Sequence, residues 1–245
     1  MGHSHAVSTT AIALACAAPL SAELGHNLTA AGAIAFAGVA GGFGVLPDLD
    51  DPGATLARTL GPVTKTISKV VRGLAGGHRK GTHTIWFAAG MVLLVTFLSG
   101  RFGLWAQGPV IFIGLFLALM LMKLAPRRGS GTSELVYAAE ATVLTWSTIH
   151  FAPSLFWVPW AVGVGVIGHI IGDIITTAGV PVFYPLASKL KLRLPILGDT
   201  GSRRESIFAW CCGVAVGWMF FAVVTSNHWW TLAWLIHPAA WHFAL

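Results

Sequence analysis

Apolar residues along this chain fall into long runs broken by short polar intervals, and the length of the runs decides the first question. The first covers roughly residues 6 to 22, the second 28 to 47, the third 84 to 99 and the fourth 108 to 122. A fifth, about 134 to 150, carries Glu134 and Glu140; the sixth covers about 156 to 180 and the seventh about 207 to 225. Such runs exceed ordinary strands and approach the roughly 20 residues with which an α-helix crosses a hydrocarbon layer. Several fall short of that length, so the expected count is about five to seven spans. The expected fold class is all-α, a polytopic membrane helical bundle.

The polar intervals differ in character. Residues 48 to 82 form the longest one, and from Leu60 to Leu74 hydrophobic positions recur among Lys65, Lys69 and Arg72. That pattern predicts a short amphipathic helix lying on a membrane surface. The glycines at 73, 76, 77 and 81 then permit tight backbone around His78 and His83. Residues 229 to 245 are Trp-rich and interrupted by His237 and Pro238, as in a segment at a bilayer interface. The chain therefore divides into a membrane-embedded domain, 1–225, and a Trp-rich interfacial tail, 226–245, which anchors the protein or flanks a lipid-facing cleft.

Composition supports the membrane reading. Apolar residues make up 55% of the 245 and charged residues only 10%, against roughly a quarter charged in soluble domains. The net charge of +6 does not form a nucleic-acid-binding stripe, because the 15 Lys and Arg lie in the intervals between apolar runs. With seven spans the basic intervals 48–82, 123–133 and 186–206 all fall on one side, which the positive-inside rule assigns to the cytoplasm. The protein is thus expected to cross a membrane several times, with membrane lipid as its surroundings and no nucleic-acid partner. Cys16, Cys211 and Cys212 sit inside apolar runs without metal-site spacing and read as packing residues.

The same topology gathers the unusual polar residues at the cytoplasmic face. His5 opens the first span, Asp48 and Asp50 follow the second, His78 and His83 precede the third, and Glu205 precedes the seventh. His169 and Asp173, four residues apart, share a helical face in the sixth. A carboxylate inside a span is costly unless paired, metal-bound or wet. This pair therefore fixes helix packing, relays protons or ligates a cation. Asp48 and Asp50 alternate, so both can point one way toward a cation, or they serve turn chemistry beside Asp51 and Pro52. Arg79 and Lys80 either attract a phosphate or meet lipid headgroups. Four histidines with several acids suffice for a two- or three-metal site that acidifies a water, with Glu205 or an unligated aspartate as proton acceptor. The absence of GxSxG and HExxH disfavours serine hydrolase and zincin chemistry.

The segments His5, LPDLDDP (46–52), HRKGTHT (78–84), GHIIGDIITTAGVPVFYP (168–185), LRLPIL (192–197) and the acid at 205 together resemble the LexA-binding, inner-membrane-associated hydrolase family, also described as membrane-bound metal-dependent hydrolases. The likeness covers most of residues 1 to 225. It implies a place in the bacterial inner membrane and a polar site on His5, Asp48, Asp50, His78, His83, His169 and Asp173, which are the candidate metal ligands; Asp50, Arg79, His83 and Glu205 are the candidate catalytic residues. It also implies association with LexA. Many members read PDxDH where this chain has Asp51. A fainter likeness to zinc-dependent phospholipases C and single-strand nucleases favours phosphoester over amide hydrolysis.

The leading expectation is a metal-dependent hydrolase of a phospholipid or isoprenoid phosphate. The mixed nitrogen and oxygen donors suit zinc first, with manganese or iron as alternatives. A transporter or channel built on His169 and Asp173, and a membrane scaffold or regulator, are the competing readings, and the sequence is compatible with a homo-oligomer.

Overall fold

The computed structural model describes residues 2–26, 28–59, 61–124, 132–152 and 154–225. The Trp-rich tail expected at 226–245 and the basic pair Arg127 and Arg128 lie outside the described residues. Among those residues there are helices and no strands, the only β-type pairing being an isolated bridge between Val180 and Leu192.

Seven long helices run back and forth: α1 (Gly2–Glu23), α2 (Ala30–Phe43), then, after two short helices, α5 (Ile85–Phe102), α6 (Leu104–Met122), α7 (Thr132–Phe151), α8 (Val158–Ile174) and α9 (Arg203–Val224). The short helices are α3 (Thr55–Arg58) and α4 (Pro62–Leu74). By length and composition α1, α2 with the turn that follows it, α5, α6 and α9 can each cross a membrane. Each of the seven apolar runs expected from the sequence is therefore a helix. The sixth was expected to reach residue 180, but α8 stops at Ile174, where Thr176, Thr177, Gly179 and Pro181 replace helix formers. Gly179 adopts φ 60°, and the segment after it folds back onto the helix end: Leu194 N–H donates to the Ile174 carbonyl at 2.6 Å and Leu197 N–H to that of Ile175 at 3.0 Å.

The bundle is built around α2. In the span containing α2, 72% of residues are buried, against 11% for α5 and 22% for α9, whose outward faces carry Leu93, Phe97, Trp210 and Phe221. Between lipid-facing helices there is no hydrophobic drive comparable to that in water, so close packing has to hold them. Small residues supply it. A Cβ on Gly42 would stand 1.8 Å from the Gly114 carbonyl oxygen, and one on Gly165 would stand 2.8 Å from that of Ala40. These glycines let α2 touch α6 and α8 backbone to backbone. Phe36, Val39, Trp157, Val158 and Val162 fill the space beside the contacts.

Alternating helix direction brings the start of α1, the ends of α2, α6 and α8, and the starts of α5, α7 and α9 to one end. Twelve of the thirteen Lys and Arg among the described residues lie at that end, and Arg101 at the other. Helix α4 lies at the basic end too. Val63, Ile67, Val70 and Leu74 form an exposed apolar stripe along it, while Ser68 on the opposite side is buried.

The backbone contact at Gly42 gives a direct test. Gly42→Ala should destabilise the protein by about 2 kcal/mol or more through overpacking. Gly90→Ala, on the open face of α5 with nothing within 4 Å of the added methyl, should be neutral or stabilising by up to about 1 kcal/mol. Thermal unfolding in detergent checks both, and equal melting temperatures for the two variants would contradict the packing account.

Candidate metal centre

Four segments deliver their polar side chains to one point at the basic end of the bundle. His5 comes from the start of α1. Asp48 and Asp50 come from a 3-10 turn, Pro47–Asp50, that forms where Pro47 ends the second apolar run. His78, Arg79 and His83 come from the glycine-rich loop before α5, and His169 and Asp173 from the last turns of α8. His83 and His169 are completely buried and Asp173 is 1% exposed.

The loop is shaped by Asp50, which is itself fully buried. Its Oδ1 takes a hydrogen bond from His78 Nδ1 at 2.6 Å, and its Oδ2 takes one from the Arg79 backbone N–H at 3.2 Å and one from the Thr82 hydroxyl at 2.5 Å. These bonds hold Arg79 in the left-handed region, φ 59°, where a non-glycine residue is strained by about 1–3 kcal/mol. Gly76 and Gly77, at φ 77° and 121°, make the preceding bend without that cost. The Asp50 carboxylate raises the His78 pKa above its ordinary value, whereas burial pushes that of His83 down and keeps its ring neutral.

Hydrogen-bond partners define the ring orientations here. His169 Nδ1 lies 2.7 Å from the Gly44 carbonyl, which can only accept, so Nδ1 carries a proton, and in the neutral ring Nε2 carries a bare lone pair. The Thr82 hydroxyl gives its proton to Asp50, so it can only accept from His83 Nδ1 at 3.0 Å, and His83 Nε2 is bare as well. These two bare nitrogens face one another at 3.2 Å. Around them stand Asp48 Oδ1, 3.8 Å from His83 Nε2 and 3.6 Å from His169 Nε2, and Asp173 Oδ2, at 3.5 and 3.9 Å. Asp173 Oδ2 is buried with no hydrogen-bond donor.

Lone pairs and an unpaired carboxylate oxygen packed together repel unless a cation lies among them. Tetrahedral ligands about 2.0–2.1 Å from zinc stand roughly 3.3 Å from one another, close to the separations found here. The donor set therefore fits a divalent metal. Three triads have donor atoms mutually within 4.8 Å: His5, Asp48 and His169; Asp48, His78 and His83; and His83, His169 and Asp173. They overlap in Asp48, His83 and His169, so more than one cation would have to share these residues.

The structure thus brings His5, Asp48, His78, His83, His169 and Asp173 together as the sequence led us to expect. His5 stacks on His169 with ring centroids 4.0 Å apart, and its Nε2 lies 3.6 Å from Asp173 Oδ1. Arg79 Nη2 donates to the same oxygen at 3.1 Å. Asp50 belongs to none of the three triads; its oxygens are engaged by the loop, which gives it a positioning role. Glu205 stands apart, accepting from the Gly201 N–H at 2.6 Å across the N-terminus of α9. A cavity of about 20 Å³, bordered by His5, Gly172, Thr176 and Glu205, separates it from the cluster and is large enough for about one water.

Sequence reasoning did not find Thr82 or the Gly44 carbonyl. Thr82 lies inside a recognised segment, but a loop threonine has no spacing signal, and a backbone carbonyl has no sequence signal at all. Gly168 and Gly172 were read only as part of a motif. A Cβ on Gly172 would stand 2.8 Å from His5 Nδ1, and one on Gly168 would stand 2.8 Å from Thr9 Oγ1, so these glycines admit α1 and its histidine.

Removing the Thr82 hydroxyl should expose its role. Thr82→Val is expected to cost about 1–3 kcal/mol by leaving buried partners unsatisfied, while Thr82→Ser restores most of the loss. Thermal unfolding of both variants is the check, and a Val variant as stable as the parent would contradict this hydrogen-bond chain.

No curated protein and no solved structure matches the chain. The model of the YdjM inner membrane protein family matches residues 1–230. With nearly its whole length so matched, the His/Asp cluster included, the chain belongs to the YdjM inner membrane protein family.

Proposed function

We propose that this protein is a metal-dependent hydrolase that acts at the cytoplasmic face of the inner membrane on a phosphoester carried by a lipid, such as a phospholipid or an isoprenoid phosphate. The observation that supports it best is the pair of bare Nε2 atoms, His83 and His169, at 3.2 Å beside the undonated Asp173 Oδ2. Zinc is the first choice of cation for such a set, with manganese or iron next. When bound, the cation supplies Lewis acidity, which polarises a phosphoryl oxygen and lowers the pKa of a water.

The chain's own residues have separate tasks. Asp50 and Thr82 hold the His83 ring in the donor orientation, and the Gly44 carbonyl does the same for His169. The Arg79 guanidinium, anchored on Asp173, supplies positive charge beside the donors and stabilises negative charge developing on the leaving phosphate. Glu205, which borders the same water-sized cavity as His5, is placed to accept a proton from the site.

Location supports the same reading. All the donors sit at the ends of spans and at one face, whereas a transported ion is bound near the midplane. The concentration of Lys and Arg at that face supports a cytoplasmic orientation. The exposed apolar stripe of α4, on a helix that also carries Lys65, Lys69 and Arg72, suits insertion into an anionic headgroup layer.

The test combines metal analysis with assay. Protein purified without chelator should carry at least about one equivalent of zinc or manganese. His169→Ala and Asp173→Asn should lose the metal and the phosphoester hydrolysis while keeping the helical circular dichroism of the parent. Arg79→Gln should keep the metal and lose about a hundredfold or more in kcat. Folded protein that binds no metal and releases no phosphate or headgroup from lipid phosphoesters would overturn the proposal.

A further inference from the structure

Beside the metal centre lies a second cavity, of about 360 Å³, bordered by His78, Arg79, Lys80, Tyr184 and Lys191. Of its nine lining residues three are permanent cations and none is acidic. Arg79 is paired with Asp173, but Lys80 and Lys191 have no acid among the lining residues, so an anion entering the cavity meets both ammonium groups. Its walls are held in place independently of any ligand. On one side Asp50 holds the loop backbone at Arg79. On the other, Val180 and Leu192 exchange backbone hydrogen bonds of 3.1 and 2.9 Å, which pin the residue between Leu190 and Leu192, namely Lys191. The Lys80 ammonium sits 6.0 Å from the Tyr184 ring centroid.

Arg79 joins this cavity to the metal centre. Its Nη2 is spent on Asp173, but its buried Nε has no hydrogen-bond partner. An orphaned guanidinium N–H calls for an acceptor, and phosphoryl oxygens suit the guanidinium fork. Arg79 therefore borders two places for negative charge: the His/Asp donors at Asp173 and the cavity of Lys80 and Lys191. Two anionic groups that share one guanidinium are only a few ångströms apart, as are the two phosphoryl groups of a phosphoanhydride.

We propose that this cavity is a second phosphoryl subsite, so that the ligand of the site is a diphosphate with one phosphoryl group at the His/Asp donors and the other held by Arg79, Lys80 and Lys191. The inference rests on the hydrolytic reading for its first phosphoryl position and deepens it by naming the substrate class. A diphosphate can be carried by a lipid or be free in solution, and the chemistry of the subsite is the same for both.

Direct binding tests it without turnover, so a failure here is distinct from a failure to hydrolyse. The detergent-solubilised protein, carrying its metal, is titrated calorimetrically with methylenediphosphonate and with orthophosphate. The diphosphonate is expected to bind at least about tenfold more tightly, and Lys191→Gln or Lys80→Gln to weaken it about tenfold with less than about a twofold effect on orthophosphate. Lys189→Gln removes the same charge from the same segment but lies off the cavity wall, and should change neither. All three lysines are exposed, so folding is not at issue. Equal weakening by Lys189→Gln and Lys191→Gln, or a diphosphonate no tighter than orthophosphate, overturns the subsite. An isoprenyl methylenediphosphonate in the same micelles identifies the source: tighter binding than the soluble form places the ligand in the membrane, and equal binding places it in solution, and both outcomes sustain the subsite.

Discussion

Two imidazole nitrogens facing one another at 3.2 Å, each with its proton committed elsewhere, set the terms for the rest of this structure. Inside a bundle with little water, uncompensated lone pairs and a buried carboxylate oxygen cost several kcal/mol unless a cation offsets them. Around this pair the fold places features that make sense together. Thr82 and the Gly44 carbonyl take the Nδ1 protons, Asp50 ties down the loop that carries His83, and α8 ends just beyond Asp173.

Helix packing serves that convergence. His5, Asp48, His83 and His169 come from elements far apart in sequence, so their donors meet only if α1, α2 and α8 approach closely. The glycines at 165, 168 and 172 allow this, at points where an added methyl group would meet the Ala40 backbone, the Thr9 side chain and the His5 ring respectively. Their value is thus partly chemical. Any residue that moved α8 away from α1 would separate His5 from His169 before it unfolded the bundle.

Much of this was legible in the sequence, because the bilayer makes both apolar length and buried charge conspicuous. The seven runs became seven helices, and a histidine and an aspartate four residues apart inside one of them marked the site. The expectation for Leu60 to Leu74 also held in outline, since α4 carries a continuous apolar stripe. What sequence could not assign was the division of labour among the acids. Asp48 and Asp50 look alike on paper, yet the 3-10 turn sends Asp48 toward the Nε2 atoms of His83 and His169 and Asp50 onto His78, the Arg79 N–H and Thr82 of the next loop. Glu205 stood beside the other site residues in the topology, but its carboxylate caps its own helix. The hydroxyl of Thr82 and the carbonyl of Gly44, which decide the tautomers, leave no pattern to read. The end of α8 was also misjudged, since hydrophobicity continues through Val180 and Val182 although the helix does not.

The most direct measurement of the central claim is X-ray absorption at the metal edge of the purified protein. The account predicts a first shell of mixed nitrogen and oxygen at about 2.0–2.2 Å, with the outer scattering of at least two imidazoles, and loss of one imidazole contribution in His83→Ala. A shell of oxygen alone, or a spectrum unchanged by that substitution, would show that the two nitrogens do not share a cation.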